Sequence, residues 1–131
     1  MAHYPADLKY TEDHEWARLL EDGTVRIGVT TYAVEQLGDV TLIDLPTTGG
    51  ELGAQDHFGD IESVKTVSEL FAPIAGEIVD VNAELEDQPE LINDSPYEEG
   101  WMIAIRPSAP ADLNRLMDAG AYEVFLGKLD G

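Results

Sequence analysis

The ten residues IESVKTVSEL (61–70) read almost the same in both directions, and this symmetry predicts a β-hairpin. The mirrored residues are Glu62, Ser63 and Val64 before the centre and Val67, Ser68 and Glu69 after it. A two-residue loop at Lys65 and Thr66 places each residue opposite its mirror image, and Ile61 opposite Leu70. In this register Glu62 lies across from Glu69, where like charges disfavour pairing modestly. Lys65 is left at the tip of the hairpin, pointing into solvent.

Strand alternation divides this hairpin into two faces. Ile61, Leu70 and both serines point to one face, and both valines and both glutamates point to the other. Asp60, just before the hairpin, points outward with Glu62. Lys-Thr is not the Asn-Gly type of pair that tight loops prefer, so a wider turn at the same place is the alternative.

An exposed lysine at a hairpin tip is poorly suited to catalysis. Its amine is nucleophilic only when deprotonated, and the neighbours Val64 and Thr66 do not desolvate it. Lys65 is therefore unsuited to Schiff-base chemistry and well placed as a handle for an enzyme that acylates amines. The alternative interpretation is an ordinary solubilising surface lysine.

Around the hairpin, short apolar or alternating segments separated by turn residues predict a mainly β protein as far as residue 106. The predicted strands are Trp16 to Leu20, Val25 to Thr30, Val40 to Leu45, Gly76 to Val81 and Trp101 to Ile105. Glu21-Asp22-Gly23 predicts a hairpin turn between the first two. TYAVEQL (31–37) is expected to form one short helix that begins with a threonine cap and ends at Gly38.

The chain changes character after Pro107, where helical spacing of Leu113, Leu116 and Met117 predicts a helical flap on the β body. Gly120 is expected to end one helical element before a second. A weak internal repeat is also visible. Gly38-Asp39-Val40 resembles Gly76-Glu77-Ile78, and residues 51–55 resemble residues 84–88, each a Glu-Leu-x-x-Gln stretch. A sandwich of two related halves would account for both copies.

Composition excludes several classes of function. The chain has 131 residues, with 27 Asp and Glu against 7 Lys and Arg and a formal charge of -20. Such charge repels nucleic-acid phosphates and anionic membranes, so partners are expected to present basic or neutral surfaces. There is no cysteine, so any sulfur chemistry must come from an attached cofactor. No apolar run approaches the roughly 20 residues of a membrane-spanning helix.

Three stretches, which lie in the right order between residues 10 and 107, carry a resemblance to a known family. They are YTEDHEWARLLEDGTVRIGVTTYAVEQLGDV, GDIESVKTVSELFAPIAGEIVDVN and LINDSPYEEGWMIAIRP. The chain resembles the H-protein family of the glycine cleavage system, in which Glu-Ser-Val-Lys presents the modified lysine. The resemblance implies a flattened antiparallel β-sandwich (a barrel-sandwich hybrid, lipoyl-domain-like) with one short internal helix and a C-terminal helical segment. Residues 1–131 are expected to form one domain, with the sandwich at about 8–106 and the helical flap at about 109–128.

The resemblance implies a non-catalytic carrier with lipoate joined as an amide to Lys65. The glycine decarboxylase, or P protein, places an aminomethyl group on a lipoyl sulfur. The aminomethyltransferase, or T protein, passes its methylene to tetrahydrofolate, and dihydrolipoyl dehydrogenase, the L protein, reoxidises the dithiol. Lipoate ligase, or an octanoyltransferase with lipoyl synthase, would install the cofactor. The chain is expected to be a monomer of the bacterial cytoplasm, or of the mitochondrial matrix if it is a processed form.

The resemblance also implies roles for five further residues. Glu15 and Glu69, with His14, match the pocket that shields the amine of the loaded arm. Glu62 and Gly76 match positions by which lipoylating enzymes recognise the hairpin. For Glu62 the alternative is a solvated surface acid, and for Gly76 it is a turn conformation after Pro73 that a side chain would obstruct.

Other functions are disfavoured. A biotinyl carrier has Met-Lys-Met, and a lipoyl domain of a 2-oxo-acid dehydrogenase typically has Asp-Lys-Ala, whereas Lys65 lies between Val64 and Thr66. An H-like protein that relays lipoate to other enzymes stays open, as does an unmodified interaction module. An enzyme using His14 and Glu15 as acid and base is disfavoured because adjacent residues in a strand point to opposite faces. Three distant histidines without cysteine do not predict a metal site.

Overall fold

The computed structural model describes residues 4–130. The nine strands of this part are β1 (Lys9–Tyr10), β2 (Glu15–Leu19), β3 (Val25–Val29), β4 (Val40–Asp44), β5 (Glu51–Leu52), β6 (His57–Ser63), β7 (Val67–Phe71), β8 (Gly76–Val81) and β9 (Ile103–Pro107). The helices are α1 (Thr31–Leu37), α2 (Glu84–Asp87), α3 (Leu91–Asp94) and α4 (Ala119–Asp130), with a 3₁₀ helix at Pro110–Arg115. Between residues 4 and 130, no helix combines the length and the apolar character needed to cross a membrane.

The strands form two antiparallel sheets. One has six strands in the order β1-β2-β3-β9-β8-β5, and the other has three in the order β4-β6-β7. Strand β7 therefore lies at an edge of the smaller sheet. The prediction of a mainly β antiparallel sandwich with a C-terminal helix is confirmed. The predicted internal helix is α1, and the sequence-based expectation of one internal helix missed the two short helices α2 and α3.

Apolar side chains from both sheets form the main core between them. Ile27 and Ile105 of the larger sheet belong to the same buried cluster as Ile43, Ile61 and Leu70 of the smaller one. Each of the five is at most 5% exposed. Alternate residues of each strand point into this core. The residues between them in the small sheet therefore lie on its outer face.

A second apolar cluster covers the other face of the larger sheet where α4 packs. Trp16 points away from the main core because its neighbours Glu15 and Ala17 point into it. Tyr122 of α4 stacks on Tyr10 of β1, with ring centroids 4.8 Å apart. The C-terminal helix is thereby held against β1 and β2.

The predicted register of hairpin β6–β7 is wrong by two residues. Glu62 pairs with Val67 rather than with Glu69. The backbone N–H of Ser63 donates to the carbonyl oxygen of Thr66 at 2.9 Å, so the tip is Val64 and Lys65. The mirror symmetry of the sequence therefore does not reflect cross-strand pairing.

The predicted faces of the hairpin are nevertheless confirmed, because a shift of two residues preserves strand alternation. Ile61 and Leu70 are buried, whereas Val64 and Val67 are 70% and 59% exposed. Like charges still face each other, since Glu69 lies opposite Asp60 instead of Glu62.

Several element boundaries also differ from the sequence-based expectation. The last strand begins at Ile103, two residues later than predicted. Gly120 does not end a helix, because the Asp118 side chain accepts the backbone N–H of Ala121 at 2.8 Å and begins α4 there.

The interpretation of the internal repeat is wrong. Its first Glu-Leu-x-x-Gln copy starts with strand β5, whereas its second copy is helix α2. The strands that precede the two copies, β4 and β8, lie in different sheets. The similarity of the two stretches therefore does not correspond to two related structural halves.

Candidate functional site

The tip of hairpin β6–β7 presents Lys65 to solvent. The Ser63 hydroxyl accepts hydrogen bonds from the backbone N–H groups of Lys65 and Thr66, each at 3.2 Å. The same hydroxyl lies 3.3 Å from the carbonyl oxygen of Thr66, to which it donates. These bonds fix the backbone on either side of the lysine while its side chain stays exposed.

A cavity of about 320 Å³ lies along the free edge of β7, between this strand and α1. Thr66 lines it, so the cavity begins one residue from Lys65. His14, Glu15 and Glu69 line the same cavity, so the fold brings these three predicted residues together. The aliphatic lining residues are Val29, Ala33, Leu37, Ile61, Val67 and Leu70. Walls that combine apolar side chains with polar and acidic ones suit a long apolar chain that ends in a polar group.

Glu15 is the most buried acid of this cavity, at 1% exposure. One carboxyl oxygen accepts the backbone N–H of Phe71 in β7 at 2.9 Å, and the other lies 3.3 Å from the Thr11 hydroxyl. Burial raises the pKa of the Glu15 carboxyl to about 8, although both hydrogen bonds act to lower it. At neutral pH the carboxyl group is therefore mostly protonated. A cation that enters the cavity stabilises its ionised form more than it would stabilise a carboxylate on the surface.

His14 lies outside β2 and adopts a left-handed conformation with a φ of 68°. Strand alternation therefore does not apply to it, and His14 and Glu15 line one cavity instead of opposite faces. The His14 Nδ1 atom lies 2.8 Å from the hydroxyl of Tyr122, which in turn lies 2.8 Å from the hydroxyl of Thr30. Thr30 caps α1 by accepting the backbone N–H of Ala33. This chain of hydrogen bonds connects α4, the histidine and the first turn of α1.

Burial lowers the pKa of the His14 imidazole, against a smaller raising effect of Asp13. Because the ordinary pKa of histidine is already below 7, His14 is neutral at pH 7. Its ring packs against Tyr32, with centroids 4.5 Å apart. A neutral imidazole does not repel a cation that enters the cavity.

Glu69 differs from Glu15 in its surroundings. It is exposed and lies on the outer face of the small sheet, opposite Asp60. Asp60 in turn pairs with His57, at 2.9 Å between Oδ1 and Nε2. Glu69 therefore contributes negative charge at the rim of the cavity, and Glu15 contributes a carboxyl group in its interior.

Glu62 lies close to the tip, half-buried on the outer face between Leu42 of β4 and Val67 of β7. The two apolar neighbours are 51% and 59% exposed. Glu62 thus belongs to a mixed apolar and acidic surface beside Lys65.

Gly76 is not brought to the tip. It begins β8, so the whole of β7 separates it from Lys65, and a strand of five residues spans roughly 17 Å. The turn-conformation interpretation is wrong, because the φ angle of Gly76 is not positive and the residue begins strand β8. Close packing requires the glycine instead: a Cβ atom there would lie 2.7 Å from the carbonyl oxygen of Arg106.

The raised pKa of Glu15 predicts a pH-dependent stability. Below pH 4.5 the Glu15 carboxyl is protonated in both the folded and the unfolded chain, so it does not change the free energy of unfolding with pH. As the pH rises toward about 8, the unfolded chain ionises first and the folded state loses stability relative to it. We expect Glu15→Gln, which cannot ionise and keeps an acceptor for Phe71, to gain about 2 to 4 kcal/mol over the wild type between pH 5 and pH 9.

Urea unfolding of both proteins at each pH measures this gain. The same substitution at the exposed Glu86 of α2 controls for the loss of one acidic residue. A difference between Glu15→Gln and wild type that stays constant from pH 5 to pH 9 would contradict the buried, protonated state of Glu15.

Within residues 4–130, no group of three or more histidine, aspartate or glutamate side chains is arranged to hold a metal ion. The candidate site consists of the exposed Lys65 and the adjoining cavity. An exposed amine beside an acid-containing cavity can accept an acyl group, and the cavity can hold the group so attached.

Comparisons with known proteins agree with this architecture. A family model described as Glycine cleavage H-protein matches residues 8–128. The glycine cleavage system H protein of Chromohalobacter salexigens is 52% identical over 126 residues, covering 96% of this chain and 96% of that protein. The H protein of Oceanobacillus iheyensis is 51% identical over 122 residues, covering 93% and 96%.

A solved structure is similar as well. The crystal structure of a glycine cleavage system H protein from Mycobacterium marinum superposes with a TM-score of 0.87 at 40% identity, covering 95% of this chain and 99% of that one. Both the sequence and the fold thus match over nearly their full length. The chain belongs to the glycine cleavage H-protein family.

Proposed function

We propose that this chain carries lipoate as an amide on Lys65 and serves as the shuttle subunit of the glycine cleavage system. One observation carries the proposal: an exposed lysine at a hydrogen-bonded hairpin tip adjoins a cavity with apolar walls and acidic groups. Lipoate has an apolar chain that suits these walls, and it supplies the sulfur that the sequence lacks. Family membership supports the same assignment.

Under this proposal the chain catalyses no step and is a monomeric carrier in the bacterial cytoplasm. Lipoate held on Lys65 would supply a dithiolane able to take up the aminomethyl group of glycine at the P protein, with its S–S bond opening to a thioether and a thiol. The T protein then unloads the arm, and the L protein reoxidises it. A lipoate ligase, or an octanoyltransferase with lipoyl synthase, attaches the cofactor. Tethering keeps the reacting group at a high effective concentration near each partner.

The loaded arm ends in an amine, and we assign its shielding to three residues of the cavity. Glu15 pairs with the ammonium group, and burial strengthens this charge-assisted contact once the carboxyl has released its proton. Glu69 adds negative charge at the rim. His14 is neutral at pH 7 and closes the wall without repelling the cation.

We assign recognition by the lipoylating enzymes to Glu62 and Gly76. Glu62 lies on the outer face beside the tip, where an approaching enzyme reaches it together with Lys65. Gly76 acts from the far end of β7, and its close approach to the backbone of β9 gives it a structural role as well.

Reconstitution with the P protein tests the proposal. The purified lipoylated chain is expected to support release of carbon dioxide from glycine and to gain the mass of an aminomethyl group. The unlipoylated chain is the matched control and is expected to do neither. A lipoylated chain that is not loaded would overturn the shuttle role and favour a lipoate relay.

The lifetime of the loaded arm tests the role of Glu69. Glu69→Gln is expected to be lipoylated normally but to release ammonia and formaldehyde about two to five times faster, the effect of one partly exposed charge. Glu51→Gln, an exposed acid of the other sheet, is the control. An unchanged lifetime in Glu69→Gln would remove Glu69 from the shielding role.

A further inference from the structure

The hairpin tip rests on the connection between α1 and β4. The backbone N–H of Val64 donates to the carbonyl oxygen of Asp39 at 3.1 Å. The Lys65 side chain lies across Gly38, where an added Cβ atom would be 3.0 Å from the lysine Cε. We refer to residues 38–40, on which the tip rests, as the lysine platform.

Asn93 of α3 holds both ends of the lysine platform. Its Nδ2 donates to the carbonyl oxygen of Gly38, and its Oδ1 accepts the backbone N–H of Val40, each at 2.8 Å. Gly38 has a φ of 78°, so its backbone is in a region that favours glycine, and its N–H is bonded to the carbonyl of Val34. One side-chain amide therefore fixes the orientation of the peptide groups that support the tip.

Two sets of side-chain hydrogen bonds thus support the lysine. Ser63 fixes the hairpin backbone from within, and Asn93 fixes the surface underneath it. Asn93 occurs in the LINDSPYEEGW stretch, far from Lys65 in sequence, and is not one of the residues that line the cavity. We infer that Asn93 is a positioning residue for the lysine that is acylated, acting through the lysine platform and supported by Ser63.

This inference rests on the proposed lipoylation of Lys65. An enzyme that attaches an acyl group must accept the lysine in one orientation relative to the hairpin. Loss of the lysine platform lets the hairpin tip adopt other orientations. The apparent affinity of the acylating enzyme for the carrier then falls in proportion to the fraction of molecules whose tip has the competent orientation. The chemical step is the same once the complex has formed, so the loss is expected in KM and not in kcat.

Lipoylation kinetics test the inference. The unlipoylated full chain is the substrate of a purified lipoate ligase with lipoic acid and ATP. Asn93→Ala is expected to raise KM for the carrier about fivefold, the factor that one net hydrogen bond represents, with kcat unchanged. Asn93→Asp keeps the acceptor for Val40 but loses the donor to Gly38, so its KM for the carrier should rise as well. This variant replaces Asn93→Ala in the test if the alanine variant does not fold.

Asn82 supplies the matched control. Its side chain also makes two hydrogen bonds to backbone groups, the carbonyl oxygens of Glu99 and Trp101 at 2.8 Å each, away from the hairpin tip. Asn82→Ala is expected to lower stability without changing KM. Amide hydrogen exchange at Val64 is expected to speed up in Asn93→Ala and to stay unchanged in Asn82→Ala.

Ser63 gives a second pair of variants. Ser63→Ala removes the acceptor of two backbone N–H groups and is expected to raise KM for the carrier. Ser63→Thr keeps a hydroxyl and is expected to have the KM of the wild type. An equal change of KM in Asn93→Ala and Asn82→Ala, a KM of Asn93→Ala equal to that of wild type, or a loss carried by kcat overturns the inference. Failure of the wild-type chain to be lipoylated at all would instead overturn the proposed function.

Discussion

Lys65→Arg is expected to abolish attachment of lipoate completely. Arginine keeps the positive charge and the long stem, but its guanidinium group is not the primary amine that forms the lipoyl amide. Expression in a lipoate-competent cell followed by intact-mass measurement should show a lipoyl-sized increment on the wild type and none on the variant. The expected effect is all or none, because the chain has one lysine at the hairpin tip.

The other two lysines provide the controls. Lys9 lies half-buried in β1, and Lys128 lies in α4. Lys9→Arg and Lys128→Arg are each expected to keep the full increment. Persistence of the increment in Lys65→Arg would show that another amine is modified and would remove the basis of the carrier proposal. Absence of the increment from wild-type protein would have the same consequence.

Trp16→Ala is expected to cause the largest loss of stability, about 3 to 5 kcal/mol, as for other large aromatic truncations in a core. The ring is fully buried and lies against Gly28, where an added Cβ atom would be 2.6 Å from Cζ2. Its indole N–H donates to the carbonyl oxygen of Pro96 at 3.0 Å. Truncation leaves a cavity and an unpaired carbonyl group together.

Urea unfolding measures this loss, with Trp101→Ala as the matched variant. Trp101 is only partly buried and stacks under Arg26, whose guanidinium carbon is 4.6 Å from the ring centroid. Removing it costs the cation–π contact, about 0.5 to 1 kcal/mol, and some packing. Equal losses in the two variants would show that Trp16 is not the main anchor of the second cluster.

The family and the sandwich could be predicted from the sequence because their signals are local. Alternation, turn residues and the run Glu-Ser-Val-Lys are all read within a few positions. TYAVEQL became the helix predicted for it, and the faces of the hairpin follow from parity alone. The family prediction is confirmed by relatives with about half of their residues identical. The roles of Lys65, Glu15 and Glu69 stay predictions.

The errors in the hairpin have a specific physical cause. The near-palindrome suggested a loop at Lys65 and Thr66, but the Ser63 hydroxyl bonds the two N–H groups that follow Val64 and moves the turn. A serine side chain competes with backbone pairing in this way wherever its geometry permits. Sequence symmetry carries no information about that competition.

Other parts of the site depend on contacts between distant residues. Tyr122 reaches His14 from the C-terminal helix, and Asn93 reaches the lysine platform from α3. The sequence predicts a threonine cap where TYAVEQL begins, whereas the cap is Thr30, which belongs to the preceding predicted strand and also bonds to Tyr122. Such pairs have no periodicity or spacing by which a single sequence would show them.

By itself, the sequence determined the class of fold, the inward and outward faces of the strands and the exposed position of Lys65, because backbone sterics and hydrophobic alternation act over a few residues. The tertiary structure alone decided how deeply Glu15 is buried, and therefore that its pKa rises to about 8 while Glu69 stays at the rim. It also decided which side chains support the lysine. Burial and long-range hydrogen bonding depend on which segments pack together, and that is a property of the whole fold.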